Sequence, residues 1–194
     1  ANANAIYEAY DFTKYQANQE NITNAYNQTN TTIDEANTIN EVRNALEAFK
    51  EALKAYLSDE EIAFNDSKIA AIEEVSSYLD ANNYTYSIDL VNEKINAARD
   101  KITNATTSEL INEIVTSVKA ELDEIPNDTT YLVNLKAECK TNLENQIDSH
   151  LETAGFAEKI AEYKAIIDSK TTKDEVIEAY NTIKLEIEEI PSDI

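Results

Sequence analysis

Apolar residues recur at spacings of three and four along most of the chain, and each such run predicts one α-helix with a single buried face. In the segment Thr106–Pro126 the inward positions are Ile111, Ile114, Val115, Val118, Leu122 and Ile125. A shift of 65 residues carries this segment onto Thr171–Pro191 without a gap. The stripe then falls on Val176, Ala179, Tyr180, Ile183, Ile187 and Ile190. An earlier copy, Asn37–Tyr56, matches at a shift of 69 and places Val42, Ala45, Leu46, Phe49, Leu53 and Tyr56 on the same face. Self-similarity at a fixed period marks a repeat architecture.

Each copy begins with a Thr-x-x-Glu pair: Thr38 with Glu41, Thr106 with Glu109, Thr172 with Glu175. In such a capping box the hydroxyl accepts from the backbone N–H three residues on, and the glutamate reaches back. A second helix is predicted upstream of each box, over 17–35, 87–103 and 156–169. Its inward residues are Ile22, Tyr26 and Ile33 in the first copy. They are Val91, Ile95, Ala98 and Ile102 in the second, and Ile160, Tyr163 and Ile167 in the third. Further upstream, Ile69, Ile72, Val75 and Leu79 predict a first helix for the middle copy. Leu132, Leu135, Cys139, Leu143 and Ile147 predict one for the last. In the first copy this helix is short at its start, with Ile6, Tyr10 and Thr13.

The expectation is an all-α chain of three tandem three-helix bundles in an elongated array. The modules are predicted at 1–61, with its first helix truncated, 62–127 and 128–194. A bundle of this size buries only about 60 % of its unfolded surface, so stacking on neighbours is expected to help it. Pro126 ends the second module, whereas Leu57–Ile62 has neither proline nor glycine and is expected to continue as a nearly unbroken helix. Composition agrees: one glycine and two prolines in 194 residues leave few sites for the turns of a β-fold.

Net charge is −22, from 38 acidic and 16 basic residues. That field repels nucleic acid and anionic membranes and favours a monomer. No apolar stretch is long enough to span a bilayer, so direct membrane insertion is not expected.

The inner helix, the Thr-Thr-x-x-Glu start, the apolar stripe and the closing Ile-Pro resemble the tandem three-helix modules of large Gram-positive cell-surface proteins. Thr106–Pro126 and Thr171–Pro191 carry the resemblance, and Asn37–Tyr56 carries it more weakly. The likeness is to FIVAR-type and albumin-binding-module-like repeats. It implies an extracellular, surface-attached stalk or spacer, or alternatively an adhesive module that binds a host protein or glycan.

Candidate chemistry is sparse. The single cysteine, Cys139, falls on an apolar stripe and reads as a buried thiol. The single histidine, His150, follows 11 residues later with no third group to complete a nucleophile. No metal, cofactor or catalytic set is expected: HExxH, CxxC and EF-hand spacings are absent from the sequence. Of eleven tyrosines, Tyr26, Tyr56, Tyr78, Tyr163 and Tyr180 are predicted to face inward. Tyr84 and Tyr86 lie in an interhelix loop. They are the candidate binding residues, the other reading being rings that cover a bundle end. Seven Asn-x-Ser/Thr sequons, beginning at Asn21, Asn27, Asn30, Asn65, Asn83, Asn104 and Asn127, follow from an Asn- and Thr-rich composition.

Overall fold

The computed structural model describes residues 2–150 and 153–192. The described residues form nine α-helices and no strand. They are α1 (Ala3–Glu8), α2 (Gln19–Asp34), α3 (Ile39–Lys54), α4 (Asp59–Ser76), α5 (Ile88–Thr103), α6 (Ser108–Asp123), α7 (Asp128–Glu144), α8 (Phe156–Ser169) and α9 (Lys173–Glu188). The chain divides into two compact units. Unit 1 is Ala1–Glu73 with Ile102–Asn112, and unit 2 is Glu74–Lys101 with Glu113–Ile194. Helices α4, α5 and α6 therefore contribute to both.

In unit 1, α1, α2 and α3 pack on one another around Ile22, Phe49 and Leu53. Helix α1 is only six residues long and stops at Glu8, so Tyr10 and Thr13 do not continue it as the sequence suggested. The chain instead turns back through a short 3-10 segment, Phe12–Lys14, started by the Asp11 carboxylate, which accepts from the Thr13 N–H. Aromatic rings pack against the core beyond the end of α1. Tyr7 stacks on Tyr26 at 4.2 Å between centroids, and Phe12 packs edge-on to Tyr7 at 5.0 Å.

In unit 2, α7, α8 and α9 enclose a larger core. Cys139, Leu143, Phe156, Ile160, Tyr163, Ile167, Val176, Ile183 and Ile187 are all buried in it. Tyr163 satisfies its hydroxyl by donating to Glu186 at 2.7 Å. Gly155 precedes α8 with φ of 76°, a left-handed conformation that suits a residue without Cβ.

Two expected capping boxes form, Thr38 with Glu41 and Thr172 with Glu175. The middle one does not. The cap of α6 is Thr107, whose hydroxyl accepts from the Leu110 N–H at 3.2 Å. The residue three places on is thus a leucine, which has no carboxylate to reach back. A box that the apolar stripe did not flag closes the start of α4: Ser58 and Glu61 bond each other's backbone N–H groups. That box breaks the chain between α3 and α4, so Leu57–Ile62 is not a continuous helix.

On α4 the inward stripe is shifted from expectation. Ala71 and Val75 are buried, while Ile69 is 56 % exposed. Tyr78 also lies at the surface, its hydroxyl donating to Asp123 at 2.9 Å.

Candidate binding loop and the joint beneath it

The loop carrying Tyr84 and Tyr86 joins α4 to α5. It opens with a 3-10 turn, Ala81–Asn83, started by Asp80, whose carboxylate accepts from the Asn82 N–H. Its next residues are held by Asp128, the first residue of α7. One Asp128 oxygen accepts from the Thr85 hydroxyl at 2.6 Å, and the other accepts from the Tyr86 N–H at 2.9 Å. Burial alone pushes the Asp128 carboxyl up, but these hydrogen bonds outweigh it and hold the group below its ordinary value. Ser87 adds a bond to the Pro126 carbonyl at 3.4 Å.

Both candidate tyrosines are half-buried. Tyr84 lines a groove with Tyr78, Asp80, Asn82 and the start of α7 at Asn127, Asp128 and Thr129. Tyr86 packs on Tyr131 of α7, with ring centroids 5.5 Å apart. The Lys173 ammonium lies 5.1 Å from the Tyr131 centroid and 5.9 Å from that of Tyr86. The backbone N–H of Lys173, at the start of α9, donates to the Tyr86 phenol oxygen at 3.4 Å. The first N–H groups of a helix have no partner inside it, and here a phenol supplies one.

The same joint occurs in unit 1, 69 residues earlier. Asp59, the first residue of α4, accepts from the Gln16 N–H and from the Ala17 N–H, both at 2.9 Å. Asn18 donates to the Leu57 carbonyl at 2.8 Å, as Ser87 does to that of Pro126. Tyr15 ends the preceding 3-10 turn with φ −132° and ψ 36°, matching φ −130° and ψ 31° at Tyr84. In place of Tyr86 stands Ala17. A second groove in unit 1 runs between α4, through Glu60, Ala63, Phe64 and Ser67, and the start of α6 at Thr107 and Ser108. The Lys68 ammonium sits 4.7 Å from the Phe64 centroid and donates to the Thr103 carbonyl at 2.9 Å.

His150 occupies a third turn of this kind, after the 3-10 segment Ile147–Ser149, with φ −136° and ψ 33°. It is buried, stacked on Phe156 at 4.2 Å, with Nδ1 hydrogen-bonded to the Gln146 carbonyl at 2.9 Å. Cys139 is buried in the α7–α9 core, and burial pushes its thiol up and away from the reactive thiolate. Among the described residues, no group of three or more His, Cys, Asp or Glu side chains is placed to hold a metal ion. No described helix is long and apolar enough to cross a membrane.

The apolar-stripe reading missed Asp59 and Asp128, because it followed hydrophobic positions and both are polar. Aligning the loops at the 69-residue shift, Tyr15 on Tyr84 and Asp59 on Asp128, would have found them. No known protein family, curated protein or solved structure matches the chain.

Proposed function

We propose that this chain is a non-catalytic spacer: three three-helix modules joined end to end as part of a larger bacterial surface protein. The observation that carries this reading is the repeated joint. A spacer needs junctions that resist bending. Asp59, the first residue of α4, and Asp128, the first residue of α7, each hold an earlier interhelix loop through two hydrogen bonds. Charge-assisted hydrogen bonds of this kind are shorter and stronger than neutral ones. Repetition in two units argues for a device of the architecture rather than a local accident. The extracellular, cell-surface setting rests on the resemblance of the helix-start and Ile-Pro motifs, and the acidic surface suits a monomer.

An adhesive role, with a host protein or glycan as partner, is the second reading. It is favoured by the groove at Tyr78, Tyr84 and Asn127, where aromatic, amide and carboxylate groups converge.

Small-angle scattering of the full chain tests the spacer reading. Three bundles of about 30 Å set end to end give a particle of about 90 Å with a radius of gyration near 27 Å. A compact chain of this length has a radius near ~16 Å, and finding that value overturns the proposal.

A further inference from the structure

We infer that the groove in unit 2 between the α4–α5 loop and the start of α7 is a binding site for a neutral saccharide, a pyranose ring with equatorial hydroxyls. Its charged groups are already committed. Asp80 accepts from the Asn82 N–H at 3.0 Å and from the Asn82 and Asn83 side-chain amides at 2.9 and 3.2 Å. Asp128 accepts from Thr85 and Tyr86. The groups left over are neutral. Among the described residues, the side-chain carbonyl oxygens of Asn82 and Asn83, the amide nitrogen of Asn127 and the hydroxyls of Tyr84 and Thr129 have no hydrogen-bond partner. All five residues line the groove. They supply donors and acceptors together, and a sugar hydroxyl, which both donates and accepts, pairs with either kind. Tyr84 is half-buried, and its ring has no aromatic partner among the described residues. A pyranose with equatorial hydroxyls is polar around its rim and presents C–H bonds on its two faces, which suit the electron-rich face of a phenol ring. The groove measures about 380 Å³, at the lower end of the range for small-molecule sites. A net charge of −22, with Asp80 and Asp128 in the groove itself, disfavours an anionic sugar.

The repeat-related groove in unit 1 stands on the same frame with a different lining. Thr13, Lys14, Tyr15, Ser58, Asp59 and Glu60 line it. At the 69-residue shift they fall on Asn82, Asn83, Tyr84, Asn127, Asp128 and Thr129. All three amides are therefore absent from unit 1, and an ammonium and a further carboxylate enter. The Tyr15 ring is also taken, packed on Tyr10 at 4.8 Å between centroids. The fold makes the groove in both places, and the neutral amide lining beside an unpaired ring sets unit 2 apart. The inference rests on the adhesive reading, which it narrows to one ligand class, and leaves the spacer reading untouched.

Methyl β-glucoside serves as the probe, with glucuronate and sorbitol for comparison. Amide chemical shifts of the full chain are followed as each is added. Saturable shifts are expected at Asn83, Tyr84 and Thr129 with the glucoside. Binding should be several-fold weaker for glucuronate, which adds a charge, and for sorbitol, which has no ring. The Tyr15 and Glu60 amides of unit 1 should not respond. Asn127→Ser removes the amide donor and keeps a cap on α7, since serine caps a helix about as well as asparagine. Thr129→Glu adds the carboxylate found in unit 1. The two together are expected to weaken glucoside binding several-fold, while an unchanged Tyr86 amide shift reports that Asp128 still holds the loop. Absence of saturable shifts in the unaltered chain overturns the proposal. So does an equal response in unit 1, equal binding of glucuronate, or glucoside binding that survives the double substitution. Attachment of the chain to immobilised serum proteins without any glucoside response overturns the saccharide inference and leaves the adhesive reading standing, whereas failure of both removes the two together.

Discussion

Helices α2 and α8 hold repeat-related places and differ in how much they bury. On α8, Phe156, Ile160, Tyr163 and Ile167 are all buried. The matching positions of α2 are Ile22, Tyr26, Thr29 and Ile33, of which only Ile22 and Thr29 are buried. Thr29 donates its hydroxyl to the Ala25 carbonyl, one turn back in its own helix, at 2.8 Å. The cause lies in the neighbouring helix. Helix α7 has 17 residues to lay along α8, whereas α1 has six to lay along α2. Tyr7, Tyr10, Phe12 and Tyr15 cover part of what α1 leaves open, and rings with polar tips tolerate that half-wet position. One repeat pattern thus yields a fully buried core where the first helix is long and a tyrosine-lined, half-buried one where it is short.

The sharpest test of this contrast substitutes the same inward position in both helices. Ile167→Ala is expected to cost about 3 kcal/mol, within the usual range for a buried isoleucine. Ile33→Ala, half-buried, is expected to cost about 1 kcal/mol. Chemical denaturation followed by circular dichroism measures both, and equal costs break the comparison. Next in size is Tyr86→Ala, expected to cost about 1–2 kcal/mol through the lost Tyr131 and Lys173 contacts. A Tm within error of the unaltered protein would show that the ring contributes nothing to unit 2. Removing the cap of a full box, Thr172→Ala, is expected to cost about 1 kcal/mol. Thr107→Ala should cost less, because Leu110 offers no reciprocal bond.

Acid should act most weakly, and on the joints and boxes rather than the cores. The Glu41 carboxyl is lowered by the backbone N–H groups of Asn37 and Thr38, and Glu175 is lowered by bonds from Thr171 and Thr172. Asp128 is lowered as described above. A carboxyl depressed in the folded state stabilises fully above its unfolded value of about 4 and loses that contribution as pH falls through the depressed one. Local loosening is therefore expected below about pH 4, visible as faster amide exchange at these residues while the far-ultraviolet helix signal persists. Alkali acts oppositely on the tyrosine cluster. Burial pushes Tyr10 up to about 12, so its contribution holds below pH 10 and fades as pH climbs toward that value.

Most helices were legible because an apolar stripe is a direct consequence of one buried face. The expected span of α8, Phe156–Ser169, is the one observed, and the boxes at Thr38 and Thr172 mark their helix starts. The failures share a cause. At α6 the sequence offers two adjacent threonines, and the box pattern picked Thr106 because a glutamate follows it at the right distance. The helix register set by Ile111, Val115 and Val118 makes Thr107 the cap instead. Helix α4 has weak amphipathic patterning, so Ile69 and Tyr78 looked inward when neither is. The joints were illegible to any hydrophobic reading, because Asp59 and Asp128 act through hydrogen bonds that leave no periodic trace. Tyr84 and Tyr86 were noticed for their type and place in a loop, not for the carboxylate that holds them.

The spacer reading stands on the two carboxylates, and amide exchange at Ala17 and Tyr86 tests them most directly. The account predicts that both N–H groups exchange far more slowly than other exposed loop amides. Asp59→Ala should release the Gln16 and Ala17 N–H groups and leave Tyr86 protected, and Asp128→Ala should release Tyr86 and leave Ala17 protected. Exchange at the rates of an open loop in the unaltered protein, or protection that survives both substitutions, would contradict it.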